Sequence, residues 1–240
     1  MTPPTRPAAA GRAPLLQALA ARLAGMHPDR RIFAAIDGVD GSGKTTFADA
    51  LAAVLAAGPH HRPAVRLSLD DFHHPRALRY RQGRGSAEGF RHDSYNVEQF
   101  RAYVLDPLKP SGAGCYRPAG HDLASDAVLD APPVAAPPAA VVLVDGLFLH
   151  RAELAPHWDF SVFLDVPFSE TAARMAVRDG TPADPAHPEM HRYVGGQRLY
   201  FADTDPARQA SVVVENSNPE RPFVIAASDA GYRRQPSGRG

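Results

Sequence analysis

The amino-acid sequence predicts an α/β fold in which helices flank a mainly parallel sheet. Short apolar runs alternate with segments of helical periodicity, and a glycine-rich loop joins the first run to a helical segment. Two later runs end beside aspartates, which is typical of parallel strands whose carboxyl ends form a ligand site. At 240 residues the chain suits one domain, predicted over 13–228 with flexible tails at 1–12 and 229–240.

The first part of the chain supplies two helices and two strands. Apolar residues three and four apart predict helices over 14–23 and 44–57. The run RIFAAID predicts a buried strand over 31–37, and a second strand is predicted over 65–69. These four elements place the glycine-rich loop between a strand and a helix.

The middle of the chain has weaker patterns. Residues 73–92 show no clear period, and 97–105 predict a short amphipathic helix closed by Pro107. The proline-rich stretch 131–140 predicts a loop inside the domain, because strand-forming residues resume directly after it. The remaining predicted elements are strands over 141–144, 160–166, 212–215 and 223–226, and helices over 169–178, with Ser169 as N-cap, and over 190–202.

Composition narrows the class of protein. The 26 basic and 26 acidic residues cancel, which argues against a broad basic surface for nucleic acid or anionic membrane. The single cysteine, Cys115, excludes an internal disulfide framework and suits a reducing compartment. No apolar run approaches the roughly 20 residues that span a bilayer, and the N-terminus lacks a signal-peptide pattern. We therefore expect a cytoplasmic protein without nucleic-acid or membrane partners. Whether it forms a homo-oligomer is left open by the sequence.

The most specific motif is GVDGSGKT at 38–45, which satisfies G-x-x-x-x-G-K-[ST]. Its glycines let successive backbone N–H groups face one anion, and the following helix adds its positive dipole end. Lys44 can reach the β- and γ-phosphates, and the Thr45 hydroxyl suits Mg²⁺. The motif predicts a P-loop NTPase fold whose nucleotide-binding residues are Gly38, Asp40, Gly41, Ser42, Gly43, Lys44, Thr45 and Thr46.

A second motif, SLDDF at 68–72, follows the second predicted strand. A carboxylate at that strand end can accept a proton from an attacking hydroxyl or bind Mg²⁺ through water. Side chains alternate along a strand, so Asp70 and Asp71 cannot both face one site if the strand continues through them. We favour Asp70 as the functional residue.

Five motifs in order resemble the uridine kinase branch of the phosphoribulokinase/uridine kinase family. They are 38–46, SLDDF at 68–72, Tyr116 with His121, VDG at 144–146 and RMAVRD at 174–179. The resemblance covers roughly 30–218 and implies a P-loop kinase domain with a small lid at about 174–190. It also implies ATP or another nucleoside triphosphate as donor, with Mg²⁺, and the 5′-hydroxyl of uridine or cytidine as acceptor.

The resemblance assigns roles to individual residues. The implied catalytic residues are Asp70 as base, Lys44 on the triphosphate, and Arg174 and Arg178 as lid arginines that close over the phosphates. The implied small-molecule substrate contacts are Phe72, His73, Asp93, Tyr116, His121 and Gln197, with Tyr116 and His121 on the pyrimidine. The implied metal-binding residues are Thr45, Asp70 and Asp145.

Departures from the family pattern leave the acceptor open. His73 stands where the family has tyrosine, Asp145 replaces glutamate, and 180–182 replaces a second arginine pair. Pantothenate, a sugar or a secondary metabolite are the alternative acceptors, and the donor choice between ATP and GTP is also open. We interpret the basic run of Arg76, Arg79, Arg81 and Arg84 as a substrate-side loop.

Two other functional classes fit the sequence less well. A GTPase switch needs a guanine-reading Asn-Lys-x-Asp segment, and the sequence contains none. A transport ATPase could explain VGGQR at 194–198, but that signature precedes the second acidic strand in those proteins. Here it follows Asp145 by about fifty residues. A small-molecule kinase therefore remains the favoured function.

Overall fold

The computed structural model describes residues 11–59 and 61–234. In chain order its strands are β1 (Ile32–Gly38), β2 (Ala64–Ser68), β3 (Cys115–Tyr116), β4 (His121–Asp122), β5 (Ala127–Val128), β6 (Val134–Ala135), β7 (Val141–Gly146), β8 (Phe160–Asp165), β9 (Val212–Glu215) and β10 (Phe223–Ile225). The main sheet has the order β10-β9-β8-β1-β7-β2, in which β10 is antiparallel to β9 and the other pairs are parallel. The predicted α/β P-loop fold is confirmed.

The α-helices are α1 (Arg12–Gly25), α2 (Lys44–Ala57), α3 (Arg76–Arg79), α4 (Ala87–Asp93), α5 (Val97–Phe100), α6 (Asp106–Leu108), α7 (Phe168–Asp179), α8 (His191–Thr204) and α9 (Pro206–Gln209). Within the described residues, none of these helices combines the length and apolar character that crossing a membrane requires.

Apolar side chains fill both faces of the main sheet. On one face α1 and α2 pack against the strands through residues such as Leu23, Leu51 and Ile36. On the other face lies an aromatic cluster that includes Phe72 and Phe148. Fully burying one Leu or Phe side chain stabilises the fold by about 1.5–3 kcal/mol, so these layers fix the strands that carry the site.

Several element boundaries differ from the predicted ones. Pro107 does not end the predicted helix at 97–105: a π-helical turn at Arg101–Leu105 leads into α6, where proline at the start needs no backbone N–H partner. The helix α7 begins at Phe168 with Pro167 at the N-cap, so Ser169 lies inside its first turn and is not the cap.

The predicted tails also differ in extent. Residues 1–10 lie outside the described residues, and Arg12 already belongs to α1. At the other end, Ala230 is fully buried and the Tyr232 ring stacks on Phe201 at 4.1 Å, so the chain packs on the domain beyond residue 229. Residues 235–240 of the predicted tail lie outside the described residues.

Candidate active site

The loop between β1 and α2 is tightly curled, in a backbone conformation that its glycines allow. Gly41 and Gly43 have φ angles of 72° and 88°. Residues that carry a Cβ atom disfavour this left-handed conformation, whereas glycine adopts it readily. A Cβ atom on Gly41 would also lie 2.8 Å from the Thr171 carbonyl oxygen. The Ser42 carbonyl accepts a hydrogen bond of 2.8 Å from Asn216 Nδ2. The loop therefore has the backbone shape that an anion-binding cradle requires.

Lys44 and Thr45 stand at the start of α2. The Lys44 ammonium is buried and donates to the Val39 carbonyl at 2.9 Å. The Thr45 hydroxyl donates to Asp145 Oδ2 at 2.7 Å, and Asp145 Oδ1 accepts from Arg66 at 3.0 Å. A hydroxyl and a carboxylate are hard oxygen ligands, so Thr45 and Asp145 fit Mg²⁺, which usually takes phosphate and water as its other ligands.

A buried hydrogen-bond network braces the loop from behind. Asp37 Oδ1 accepts from the Gly38 amide at 2.7 Å, while its Oδ2 accepts from the Tyr200 hydroxyl and contacts His150 Nδ1 at 2.7 Å. Gln197, predicted to lie near the substrate, instead accepts from the Asp40 amide at 2.7 Å. Sequence reasoning missed this network, because its members are 113 and 163 residues apart and share no local pattern.

Asp70 lies where β2 ends. The strand stops at Ser68, and Leu69–Phe72 forms a 3₁₀ turn, capped where the Ser68 hydroxyl accepts from the Asp70 amide at 3.3 Å. The two aspartates therefore diverge because of a turn and not because of strand alternation. Asp70 lines the central cavity, and the Asp71 carbonyl accepts from the Gly120 amide at 2.9 Å. Burial, followed by the Asp70 and Asp145 charges, raises the pKa of Asp71.

The central cavity joins the predicted donor and acceptor residues. It has a volume of about 440 Å³, and the side chains lining it include Lys44, Asp70, His73, Arg76, Arg79 and Arg192. Burial lowers the pKa of His73, whose Nδ1 contacts the Asp70 carbonyl at 2.7 Å. Arg178 also lines the cavity and lies 3.6 Å from Asp40.

Three arginines form one wall of this cavity, which we call the arginine wall (Arg76, Arg79 and Arg192). Arg79 and Arg192 are buried, and Arg192 lies over the Tyr80 ring at 4.8 Å. Arg79 donates to the His74 carbonyl at 2.7 Å, and burial lowers the pKa of Arg192. Arg76 is exposed, with its Nη2 donating to the Ala124 carbonyl at 3.3 Å. Arg79 has Asp126 as a carboxylate neighbour at 3.6 Å, whereas the hydrogen bonds of Arg192 within the described residues go to the carbonyls of Ser86 and Arg79. Because a buried cation is costly without an anionic partner, Arg192 makes this wall favourable for a negatively charged ligand.

Other predicted site residues lie outside the central cavity. Arg174 donates to the carbonyls of Gly41, Asn216 and Ser217, and lines a second cavity of about 130 Å³ together with Arg12 and Thr46. The structure thus separates Arg174 from Arg178, although both were expected over the phosphates.

Two predicted substrate residues have structural roles instead. Asp93 is buried and accepts from Arg81 Nε at 3.0 Å and from Gln82 at 2.7 Å. Burial on its own would raise the pKa of Asp93, but the hydrogen bonds from Arg81 and Gln82 and the Arg81 charge together outweigh it and lower that pKa. Phe72 is fully buried, with its ring 5.1 Å from that of Phe100. Neither side chain lines the central cavity.

Tyr116 and His121, the predicted base-reading pair, do not line the central cavity either. Tyr116 packs half-buried against the apolar cluster. His121 is buried, with its Nε2 3.2 Å from Asp126 Oδ1. Asp126 also accepts from the Arg76 amide at 2.9 Å and lies 3.6 Å from Arg79. His121 therefore stands behind the arginine wall.

Comparison with known proteins gives a consistent family. The model of the phosphoribulokinase/uridine kinase family matches residues 33–181. A pantothenate kinase from Rhodococcus erythropolis is 28% identical over 93% of this chain and 76% of its own length. One from Serratia proteamaculans is 28% identical over 54% of this chain and 45% of its own length. A solved structure from Bacillus stearothermophilus, described as a possible uridine kinase, matches with a TM-score of 0.65 at 22% identity. The match covers 82% of this chain and 96% of that chain, and it supports the fold.

Proposed function

This chain belongs to the phosphoribulokinase/uridine kinase family of P-loop kinases, and we propose that it transfers the γ-phosphoryl group of ATP to a hydroxyl of a small anionic acceptor. One observation carries the proposal: Lys44 and Asp70 line the same cavity as the arginine wall. Phosphate-binding and proton-accepting groups thus meet in one space with cations that can hold an acceptor by its charge.

The proposed reaction assigns one task to each group. Backbone amides of the P-loop and Lys44 bind the triphosphate, and Thr45 and Asp145 would hold Mg²⁺, which offsets phosphate charge when bound. Asp70 orients the acceptor hydroxyl and takes its proton as the new O–P bond forms and the bond to the leaving ADP breaks. Arg178 faces the charge that develops on the transferred group.

The arginine wall supports one class of acceptor over the other. Pantothenate, named in the sequence relatives, carries both a hydroxyl and a carboxylate, so it offers the wall an anion. The pyrimidine nucleoside predicted from Tyr116 and His121 is uncharged, and neither of those side chains lines the cavity. We therefore place hydroxy acids and sugar phosphates before uridine and cytidine as acceptors.

An ADP-release assay across acceptors tests this order. Pantothenate, D-glycerate and ribulose 5-phosphate represent anionic acceptors, and uridine, cytidine and adenosine represent neutral ones. We expect turnover with an anionic acceptor, and we expect Arg76→Ala to raise its KM by about tenfold or more, as loss of a charge-assisted hydrogen bond predicts. Arg84→Ala, in the same segment but not among the cavity-lining residues, is the matched control.

The same assay can reject the anionic acceptor. Efficient turnover of uridine alone, with a KM that rises in His121→Ala and not in Arg76→Ala, would favour the nucleoside. Absence of turnover with every acceptor, while the protein still hydrolyses ATP slowly, would count against all six compounds and leave the kinase reaction itself unsupported.

A further inference from the structure

We propose that Tyr95 is a positioning residue for phosphoryl transfer: its hydroxyl holds the Asp70 carboxylate in the orientation that accepts the proton of the acceptor. This inference rests on the proposed function, in which Asp70 is the base. Tyr95 lies two residues after Asp93, in the stretch HDSY at 92–95.

The contact between the two residues is direct. The Tyr95 hydroxyl donates to Asp70 Oδ1 at 2.8 Å, and the tyrosine is 3% exposed. Burial, followed by the Asp70 charge, raises the pKa of Tyr95 well above 10. A carboxylate oxygen can only accept, so the Tyr95 hydroxyl is the donor in this contact and does not itself serve as the base.

The backbone fixes Tyr95 relative to the turn that carries Asp70. The His74 amide donates to the Ser94 carbonyl at 2.9 Å, and the Asn96 amide donates to the Phe72 carbonyl at 2.8 Å. These two bonds pair the segment around Tyr95 with the residues directly after Asp70. A change in the position of the turn would therefore move the hydroxyl and the carboxylate together.

Two rings hold the Tyr95 side chain in place. The His73 ring lies 4.5 Å from the Tyr95 ring, and the Phe148 ring contacts it edge-on at 6.3 Å. Phe148 has a φ of 64°, an unusual backbone conformation for a bulky residue that the surrounding core must maintain. Tyr95 is thus supported on both sides, and its hydroxyl has little freedom to leave Asp70.

One fixed hydrogen bond has a specific consequence for the Asp70 carboxylate. Oδ1 is occupied by Tyr95, whereas no hydrogen bond from the described residues reaches Oδ2. Asp70 lines the central cavity, so Oδ2 is the oxygen left for the acceptor hydroxyl. Restricting rotation of the carboxylate keeps the base close to its geometry for reaction, which is where positioning contributes to rate.

Tyr95→Phe tests the role because it removes the hydroxyl and keeps the ring. We expect kcat to fall by about tenfold or more, as for a lost hydrogen bond to a charged group, with an unchanged KM for ATP. Tyr103→Phe is the matched control: its ring packs edge-on against Phe72 at 6.4 Å, and it does not line the cavity. It should keep kcat near that of the wild type.

A double-mutant cycle with Asp70→Ala separates positioning from a general structural role. If Tyr95 acts through Asp70, Tyr95→Phe should change the residual turnover of Asp70→Ala by less than about twofold, because no carboxylate remains to be held. An equal fold-loss in both backgrounds, or a normal kcat in Tyr95→Phe alone, would overturn the role of Tyr95. Near-normal turnover in Asp70→Ala would instead remove Asp70 as the base and with it the proposed mechanism.

Discussion

The donor side and the acceptor side of the central cavity are built in different ways. The donor side is one continuous loop between β1 and α2, whose backbone amides, with Lys44, are the groups proposed to bind the triphosphate. The acceptor side gathers Asp70, Tyr95 and Arg192 from a turn, from the segment that follows α4 and from α8. A continuous loop carries its chemistry in its own sequence, whereas a gathered site depends on tertiary contacts that hold distant segments together.

The contact between α8 and α4, which we call the crossing, joins the two sides. The α8 helix reaches the P-loop through Gln197 and Tyr200, whose side chains bond the Asp40 amide and the Asp37 carboxylate. The same helix packs closely on α4, which leads directly into Tyr95. Because α8 contacts both sides, its packing on α4 sets where the acceptor residues lie relative to the loop between β1 and α2.

The donor side should show the largest effect of a single substitution. We expect Lys44→Ala to lower kcat by about two to four decades while the fold stays intact, because it removes a major charge partner of the transferred phosphoryl group. Lys109→Ala, an exposed lysine beside Asp106, is the control. Steady-state kinetics and circular dichroism check both variants, and near-normal turnover in Lys44→Ala would break the donor-side assignment.

The acceptor side should show the next largest effect, and it should be specific to one of two neighbours. Asp70→Asn keeps the shape of the side chain but removes the proton acceptor, so we expect kcat to fall by about 10²-fold or more. Asp71→Asn should lower kcat much less, because Asp71 does not line the cavity. Measuring kcat at saturating substrates compares the two directly, and a larger loss in Asp71→Asn would show that the turn presents the other carboxylate.

Local sequence patterns predicted the loop-to-helix element of the donor side better than the residues gathered on the acceptor side, for a physical reason. The helix α2 was predicted with its observed bounds, and Asp70 was placed correctly beside the end of β2, because local patterns determine both. Tyr116, His121 and Asp93 were assigned by resemblance, yet none of them lines the cavity. The contact between Tyr95 and Asp70 spans 25 residues and depends on the packing of α4, so no local pattern could predict it.

The smallest expected effect tests the crossing that joins the two sides. A Cβ atom on Gly196 in α8 would lie 2.8 Å from Phe90 Cδ1 and 2.9 Å from the Ala87 carbonyl oxygen, both in α4. Since the backbone oxygen cannot rotate away, we expect Gly196→Ala to lower the free energy of unfolding by about 1–3 kcal/mol, as overpacking does.

Gly25→Ala is the matched control for this crossing, because a Cβ atom there meets nothing within 4 Å at the end of α1. It should leave the free energy of unfolding unchanged or raise it by up to about 1 kcal/mol, as alanine does in a helix. Urea unfolding measures both variants. In Gly196→Ala the KM for the acceptor should also rise more than the KM for ATP, because α4 leads to the acceptor residues while the P-loop keeps its own backbone shape. Equal unfolding free energies in the two variants, or equal changes in both KM values, would show that this crossing does not set the position of the acceptor side.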